Sequence, residues 1–234
     1  MGRVTVAGGN PGMKAPVTYK ANFADNTWAQ IIDACHKNKV PDTWVVGNSK
    51  TMLINGTEYQ IDIIGKSHDD YADGSGKAPL TFQMHDCYAD VNRMNSSNTN
   101  SGGWTSCAMR STHLPAILAL MPTEVQNGIR EVNKLTSAGS QSSTINTTAD
   151  KLFLLSEIEI FGSVSYSKSG EGTQYDYYKA GNSKVKNRNG GAAYWNERSP
   201  LKDGSTQFCM VSNTGTADYG GASSAAGVAF GFCF

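Results

Sequence analysis

The feature of this sequence that most constrains its fold is the apolar run GVAFGFCF at residues 227–234. Side chains of a β-strand alternate between two faces, so this run has one face of large residues and one of small residues. A strand this apolar has to be buried and paired, and the small face lets a second layer approach closely. We therefore predict that it forms a buried strand that stabilises the whole fold. FCMVS (residues 208–212) is predicted to be a second strand, and TADYGGASSAAG (residues 216–227), which has few apolar side chains, lies between the two. The large face consists of Val228, Phe230, Phe232 and Phe234.

Charge and composition exclude several classes of function. The 20 Lys and Arg residues balance the 20 Asp and Glu residues, which argues against binding to nucleic acid or to an anionic membrane. No apolar stretch approaches the roughly 20 residues of a membrane span, and the first residues lack the apolar segment of a signal peptide. We therefore expect synthesis in the cytoplasm.

The cysteines are odd in number and irregularly spaced, which is typical of reduced, mostly buried thiols. A bridge between Cys209 and Cys233 remains an alternative if the protein is displayed outside the cell. The five positions are Cys35, Cys87, Cys107, Cys209 and Cys233.

Two local patterns in the first third of the chain are clear. NTWAQIIDACHKNK (residues 26–39) has apolar residues at helical spacing, with Asp25 or Asn26 as the expected cap. Asn55-Gly56 lies between two β-rich runs, which predicts a hairpin. Its second strand alternates apolar and polar residues and should be half-buried. PLTFQMHDCY (residues 79–88) is a further candidate strand.

The middle of the chain alternates apolar runs with polar loops. LPAILALM (residues 114–121) is expected to be helical, and TEVQ (residues 123–126) resembles a capping box of a helix that extends to Val132. KLFLLSEIEIFG (residues 151–162) is predicted to be a strand, and residues 163–190 a loop. The sequence therefore predicts an α+β domain with two or three helices, mostly antiparallel strands and long ordered loops, which commonly carry function.

Residues that could perform chemistry are few. SHDDYADG could hold a hard cation, although its spacing does not match a known calcium loop and a hydrogen-bonded turn is the simpler interpretation. Its candidate ligands are His68, Asp69, Asp70 and Asp73. Glu157 and Glu159 would share a strand face but lack a substrate groove. Arg198 is expected to pair with Glu197 or Glu157. We expect no cofactor and no metal.

Several segments together resemble one family. They are MGRVTVAGGNPGM at the start, KLFLLSEIEIFG and YYKAGNSKVKNRNG in the middle, and YWNERSP, FCMVSNTG and GVAFGFCF at the end. They resemble the DUF6273 family of phage and prophage proteins, whose members usually carry WWLRSP or WWERSP where this chain has YWNERSP. Residues 1–24 are rich in Gly, Pro and Ala and are expected to form an arm or linker. The resemblance implies a C-type-lectin-like domain at residues 25–234.

That fold is also used by variable proteins of diversity-generating retroelements, in which a reverse transcriptase randomises template adenines. The resemblance therefore implies a variable region at about residues 193–226. AAC and AAT codons randomised in this way cannot encode Lys, Gln, Glu, Met or Trp, and residues 212–226 contain none of these. Randomised AAC and AAT codons could not have produced Lys202, Gln207 or Met210, so these residues are expected not to vary.

The function expected from this resemblance is non-catalytic recognition of a protein or glycan on a cell surface. The binding face would be displayed on a virion, for example on a phage tail, or on a cell. Two alternatives stay open: an assembly protein with tolerant loops, and an oxidase like the formylglycine-generating enzymes, using Cys209 and Cys233. The predicted ligand-binding residues are Tyr194, Asn196, Leu201, Asp203, Thr206, Ser212, Asn213, Thr214, Thr216, Asp218, Tyr219, Gly220, Gly221, Ser224 and Ala226.

Overall fold

A computed structural model describes residues 17–234 and shows a mixed α/β architecture. The described part contains six α-helices, more than the two or three predicted, because five of them have only four to six residues and leave little periodicity in the sequence. They are α1 (Trp28–His36), α2 (Gly103–Ser106), α3 (Leu114–Leu118), α4 (Thr123–Gly128), α5 (Glu157–Phe161) and α6 (Asp176–Lys179), with a 3-10 turn at Phe23–Asp25 and a π-helical turn at Met109–His113.

The strands pair antiparallel throughout their ladders, as predicted. They are β1 (Ser49–Ile54), β2 (Thr57–Lys66), β3 (Leu80–Met84), β4 (Asn92–Arg93), β5 (Val132–Ser137), β6 (Ile145–Asp150), β7 (Leu152–Phe153), β8 (Lys186–Arg188), β9 (Gly191–Ala193), β10 (Trp195–Pro200), β11 (Gln207–Val211), β12 (Ala217–Gly221), β13 (Ala225–Ala226) and β14 (Gly231–Cys233). The main sheet has the order β1-β2-β3-β14-β7, and a second sheet has the order β10-β11-β12.

The C-terminal strand lies inside the main sheet. In β14, Phe232 is opposite Phe82 of β3 on one side and Leu152 of β7 on the other. Phe82 also stacks on Phe232, with ring centroids 5.3 Å apart. A Cβ added to Gly231 would lie 2.8 Å from the Phe153 ring, which shows why that face needs small residues. The prediction that residues 227–234 are buried is confirmed, but only Gly231–Cys233 of this run form a strand. Residues 208–211 of FCMVS belong to β11 in the other sheet.

The first helix and hairpin form where the sequence places them. In α1 the cap is Thr27 rather than Asp25 or Asn26, because its side chain accepts from the backbone N–H of Gln30 and completes a capping box. The Asn55-Gly56 turn joins β1 to β2, with φ of 50° and 77°, as expected of a type I′ turn. The second half of β2 is buried on both faces, rather than half-buried as predicted, because α6 packs against this strand.

The predicted strand at residues 151–162 is wrong beyond its first residues. Only β7 is a strand, and α5 follows it. Ser156 caps α5 in a capping box with Glu159, and Gly162 ends it with φ of 73°. Capping at both ends outweighs the alternating apolar pattern of the segment.

Three other expectations need correction. Residues 163–190 include α6 and β8 as well as loop. No side chain caps α4, which begins after Pro122 and ends at Gly128, so Val132 belongs to β5. Residues 1–16 of the predicted arm lie outside the described residues, but Phe23 is 1% exposed and packs on Trp44, so the packed domain begins before residue 25. Within residues 17–234, no helix is long and apolar enough to span a membrane.

Candidate functional site

The segment predicted to vary is held at both ends by strands. Strand β12 forms the edge of the second sheet, and its Tyr219 lies opposite Cys209 of β11. Strand β13 pairs with β4, where Ala225 lies opposite Arg93. The chain then enters the buried segment that leads to β14. Residues 213–225 are therefore mostly surface structure between two anchored ladders.

Most of the predicted ligand-binding residues can reach solvent. Tyr194 and Tyr219 are 43% and 45% exposed, large fractions for aromatic side chains. The exposed or half-buried members of the predicted set are Tyr194, Leu201, Asp203, Thr206, Asn213, Thr214, Thr216, Asp218, Tyr219, Gly220, Gly221 and Ser224.

Three predicted residues are buried instead, which corrects the expectation that they face solvent. Asn196 is 2% exposed, and its Nδ2 donates to the carbonyl of Asn92 (2.9 Å). Ser212 is 4% exposed, and its hydroxyl accepts from the backbone N–H of Thr216 (3.1 Å) and so closes the turn before β12. Ala226 is 7% exposed within the β13–β4 ladder. Each is fixed by a backbone partner that the sequence pattern does not reveal.

Gly220 is accessible but not free to change. A Cβ at this position would lie 2.5 Å from the Met210 sulfur, on the neighbouring strand. A larger side chain at Gly220 therefore requires Met210 to move.

A groove with a volume of about 530 Å³ lies at one end of this surface. It brings together Tyr194, Asn213 and Ala226 from the predicted set. Its other wall is the β8–β9 hairpin, which contributes Arg188 and Asn189. Neither residue is among the predicted ligand-binding residues, because both lie in the segment 163–190 that is predicted to be a loop. The Asn189-Gly190 dipeptide, a hairpin signal, could have revealed them.

The other predicted residues lie outside the groove. Tyr219 packs edge-on against Tyr166, with ring centroids 5.0 Å apart, next to the loop that follows α5. Leu201, Asp203 and Thr206 belong to the connection between β10 and β11. The structure thus gathers part of the predicted set in one groove and distributes the rest along β12 and its neighbouring loops.

A buried ionic network fixes the base of this region. Arg198 of β10 donates through both terminal nitrogens to Glu159 of α5 (2.5 and 2.8 Å) and also to the carbonyls of Leu135 and Leu154. Lys134 of β5 reaches the same carboxylate (2.8 Å). Arg198 forms an ion pair with a glutamate, as predicted, but the partner is Glu159 rather than Glu197 or Glu157. The reason is that residues 157–161 are helical.

The neighbouring carboxylates are not part of that pair. Glu157 instead accepts from consecutive backbone N–H groups, including that of Ser167 (2.7 Å). Glu197 is fully buried, and neither of its oxygens has a hydrogen-bond partner among the described residues. Burial, with Glu157 and Glu171 nearby, raises the pKa of Glu197 well above its usual range. The folded state therefore favours the protonated form of this side chain.

A second buried charge supports the hairpin wall. The Lys186 ammonium donates to the carbonyls of Met84 and His85 (2.5 and 2.9 Å) and lies 5.4 Å from the centre of the Trp195 ring. Burial lowers the pKa of Lys186 to about 8, against the opposing influence of nearby acidic groups such as Asp62. This anchor ties β8 to the end of β3.

The candidate cation ligands do not converge. Burial alone would raise the pKa of Asp69, but Lys134 and Thr81 hold it at about 2. Asp70 pairs with Lys77 (3.0 Å) and Asp73 with Arg130 (2.6 Å). Across residues 17–234, no three His, Cys, Asp or Glu side chains are grouped to hold a metal ion.

The two cysteines considered for redox chemistry are also apart. Cys209 lies in β11 and Cys233 in β14, which belong to different sheets, so the two thiols do not form the cysteine pair that the oxidase alternative requires. Both are free thiols, and burial raises the pKa of each well above its usual range, the opposite of an activated thiol.

Comparison with known families gives one result. The model of a family described as Domain of unknown function (DUF6273) matches residues 80–233, which include the groove, the second sheet and β14. No curated protein and no solved structure matches the chain.

Proposed function

The chain belongs to the DUF6273 family, and from this premise we propose that it is a non-catalytic binding protein whose C-terminal face is diversified. The observation that carries the proposal is the combination of an exposed segment with anchored ends. Residues 213–225 lie on an edge strand and turns, while β11 and β14 on either side are buried. Exposed substitutions of this kind usually change stability by less than about 0.5 kcal/mol.

The composition of the surface supports binding. Tyrosine offers a large, rigid contact area, and Asn, Ser and Gly supply adaptable hydrogen bonds, as in antibody loops. Tyr194 and Tyr219 are the exposed aromatic anchors, and Asn213 and Ser224 are exposed polar residues of the same C-terminal segment. The Arg198–Glu159 pair underneath is fully buried, so the loops rest on a rigid base.

We further propose a C-type-lectin-like fold, a phage or prophage origin and variation by a diversity-generating retroelement. The antiparallel sheets and the C-terminal strand in the main sheet are compatible with that fold, and the absence of Lys, Gln, Glu, Met and Trp from residues 212–226 is compatible with randomised AAC and AAT codons. The partner would be a protein or glycan on a cell surface. The protein itself would be displayed on a virion or on a cell.

Sequencing the gene and its surroundings across related strains tests this proposal. We expect a reverse transcriptase nearby, an adenine-rich near-copy of the 3′ end, and substitutions concentrated at exposed positions such as Tyr194, Asn213 and Tyr219. The buried Asn196 and Ser212 serve as internal controls and should change far less. Substitutions spread evenly along the chain, with no template repeat, would favour an assembly protein with tolerant loops instead.

A further inference from the structure

Arg188 is the only charged residue among the described residues that line the groove. Its Nη1 donates to the carbonyl of Ala89 (3.2 Å), and within the described part of the chain no carboxylate lies at ion-pair distance from it. A guanidinium group has five N–H donors in a planar fork that matches a carboxylate. Arg188 therefore keeps donors available for an anionic group of a ligand.

The rest of the groove suits a small polar ring. Tyr194 presents a half-exposed aromatic ring, and Asn189 and Asn213 are exposed amides that can bind hydroxyl groups. Alanine residues of β9 and β13 form low walls between them. The volume of about 530 Å³ is within the range of small-ligand sites, roughly 300–1,000 Å³.

We propose that this groove binds an acidic sugar, with Arg188 pairing with the sugar carboxylate; the inference rests on the proposed binding function. The sugar ring lies against Tyr194, and the exposed amides take its hydroxyl groups. A groove of this size favours the end of a glycan over a broad protein surface, which requires about 800 Å² on each partner.

The residue that carries the charge lies outside the segment predicted to vary. The hairpin turn at Asn189 and Gly190 has φ of 52° and 82°, as a type I′ turn requires. The backbone N–H of Asn187 donates to Asp86 (2.7 Å), and Lys186 is anchored in the core. The preference for an acid is thus built into the hairpin, while Tyr194 and Asn213, which line the same groove and belong to the segment predicted to vary, adjust to the rest of the ligand.

Titration with a matched pair of sugars tests this inference. D-glucuronate and methyl glucoside share one ring framework and differ chiefly in the C6 carboxylate, and binding of each is followed by ligand-observed NMR and calorimetry on the full chain. We expect glucuronate to bind more tightly, and its affinity to fall as NaCl is raised. Arg188→Gln should weaken glucuronate binding about tenfold or more, since it removes a charge-assisted hydrogen bond, and leave methyl glucoside unchanged.

Two further variants keep the result interpretable if Arg188→Gln perturbs the hairpin. Asn213→Asp adds an exposed carboxylate to the lining of the same groove and should also abolish the preference for glucuronate, by like-charge repulsion. Lys39→Gln removes an exposed positive charge on another element and should change nothing. Equal binding of both sugars, binding of neither, or glucuronate binding unaffected by Arg188→Gln and Asn213→Asp would overturn the inference. If one of these results were obtained while the gene varied among strains as proposed, the proposed binding function would stand and only the acidic-sugar inference would fail.

Discussion

Replacing the buried Glu197 is expected to stabilise the protein, by an amount that grows with pH. Its carboxyl is fully buried without a partner among the described residues, and its pKa is raised by burial and by Glu157 and Glu171. The folded state therefore keeps a proton that the unfolded state releases above its ordinary pKa of about 4.3. Because the unfolded state then binds fewer protons, the free energy of unfolding falls as pH rises.

The size of the effect follows from this one proton. While the folded-state pKa stays above the pH of measurement, the loss is about 1.4 kcal/mol per pH unit. Between pH 5 and pH 7 the wild type should therefore lose up to about 2.7 kcal/mol relative to Glu197→Gln, which has no proton to release. Glu197→Leu should show the same pH trend and also avoid burying an unpaired polar group, which costs about 1–3 kcal/mol.

Urea unfolding followed by tryptophan fluorescence at pH 5, 6, 7 and 8 measures these differences. Each variant is compared with the wild type at the same pH, so that other titrating groups, Glu171 included, largely cancel. Glu58→Gln, at an exposed position of β2, is the matched control and should show no pH-dependent difference. A difference between wild type and Glu197→Gln that stays constant across this range would refute the reasoning, because it would mean that Glu197 titrates alike in both states.

Three other perturbations have defined outcomes. Arg198→Met should destabilise the domain by about 3–5 kcal/mol in the same urea assay, because Glu159 loses its bidentate partner; a loss below about 1 kcal/mol would contradict the assigned role. The pKa of Lys186 is about 8 in the folded state and about 10.4 in the unfolded chain. Between these two pH values only the unfolded chain keeps the proton on Lys186, so the wild type should become more stable as pH rises. Lys186→Met should lack that rise. Gly227→Ala should lower the melting temperature, because its Cβ would lie 2.6 Å from the Cys87 sulfur and 2.8 Å from a carbonyl oxygen, whereas Gly191→Ala, with nothing within 4 Å, should not.

The parts of the fold that could be predicted are those specified by local sequence. The Asn55-Gly56 hairpin and α1 are fixed by turn chemistry and apolar spacing, and the run at residues 227–234 is apolar enough to require burial. Residues 157–161 were predicted as strand because EIEIF alternates, yet the caps at Ser156 and Gly162 favour a helix. Alternation in a short segment does not separate the two states.

The candidate site was less predictable because it depends on contacts between distant residues. Arg198 was expected to have an acidic partner, but which carboxylate it meets depends on the helix at Glu159. Asn196 appeared as a member of a surface run, although a carbonyl 104 positions away holds it inside. The groove unites the β8–β9 hairpin with Tyr194 and Asn213, and composition alone does not place those segments together.

The position of β14 makes assembly of the main sheet depend on residues 231–233, which follow every other strand of that sheet in the sequence. Strands β3 and β7 flank it on either side, so the main sheet cannot close while residues 231–233 are still being synthesised. A stop codon or frameshift anywhere in the preceding surface segment removes the middle of that sheet. Such products would expose the apolar faces of that sheet and be degraded, so that only reading frames that continue through residues 231–233 would yield the folded domain.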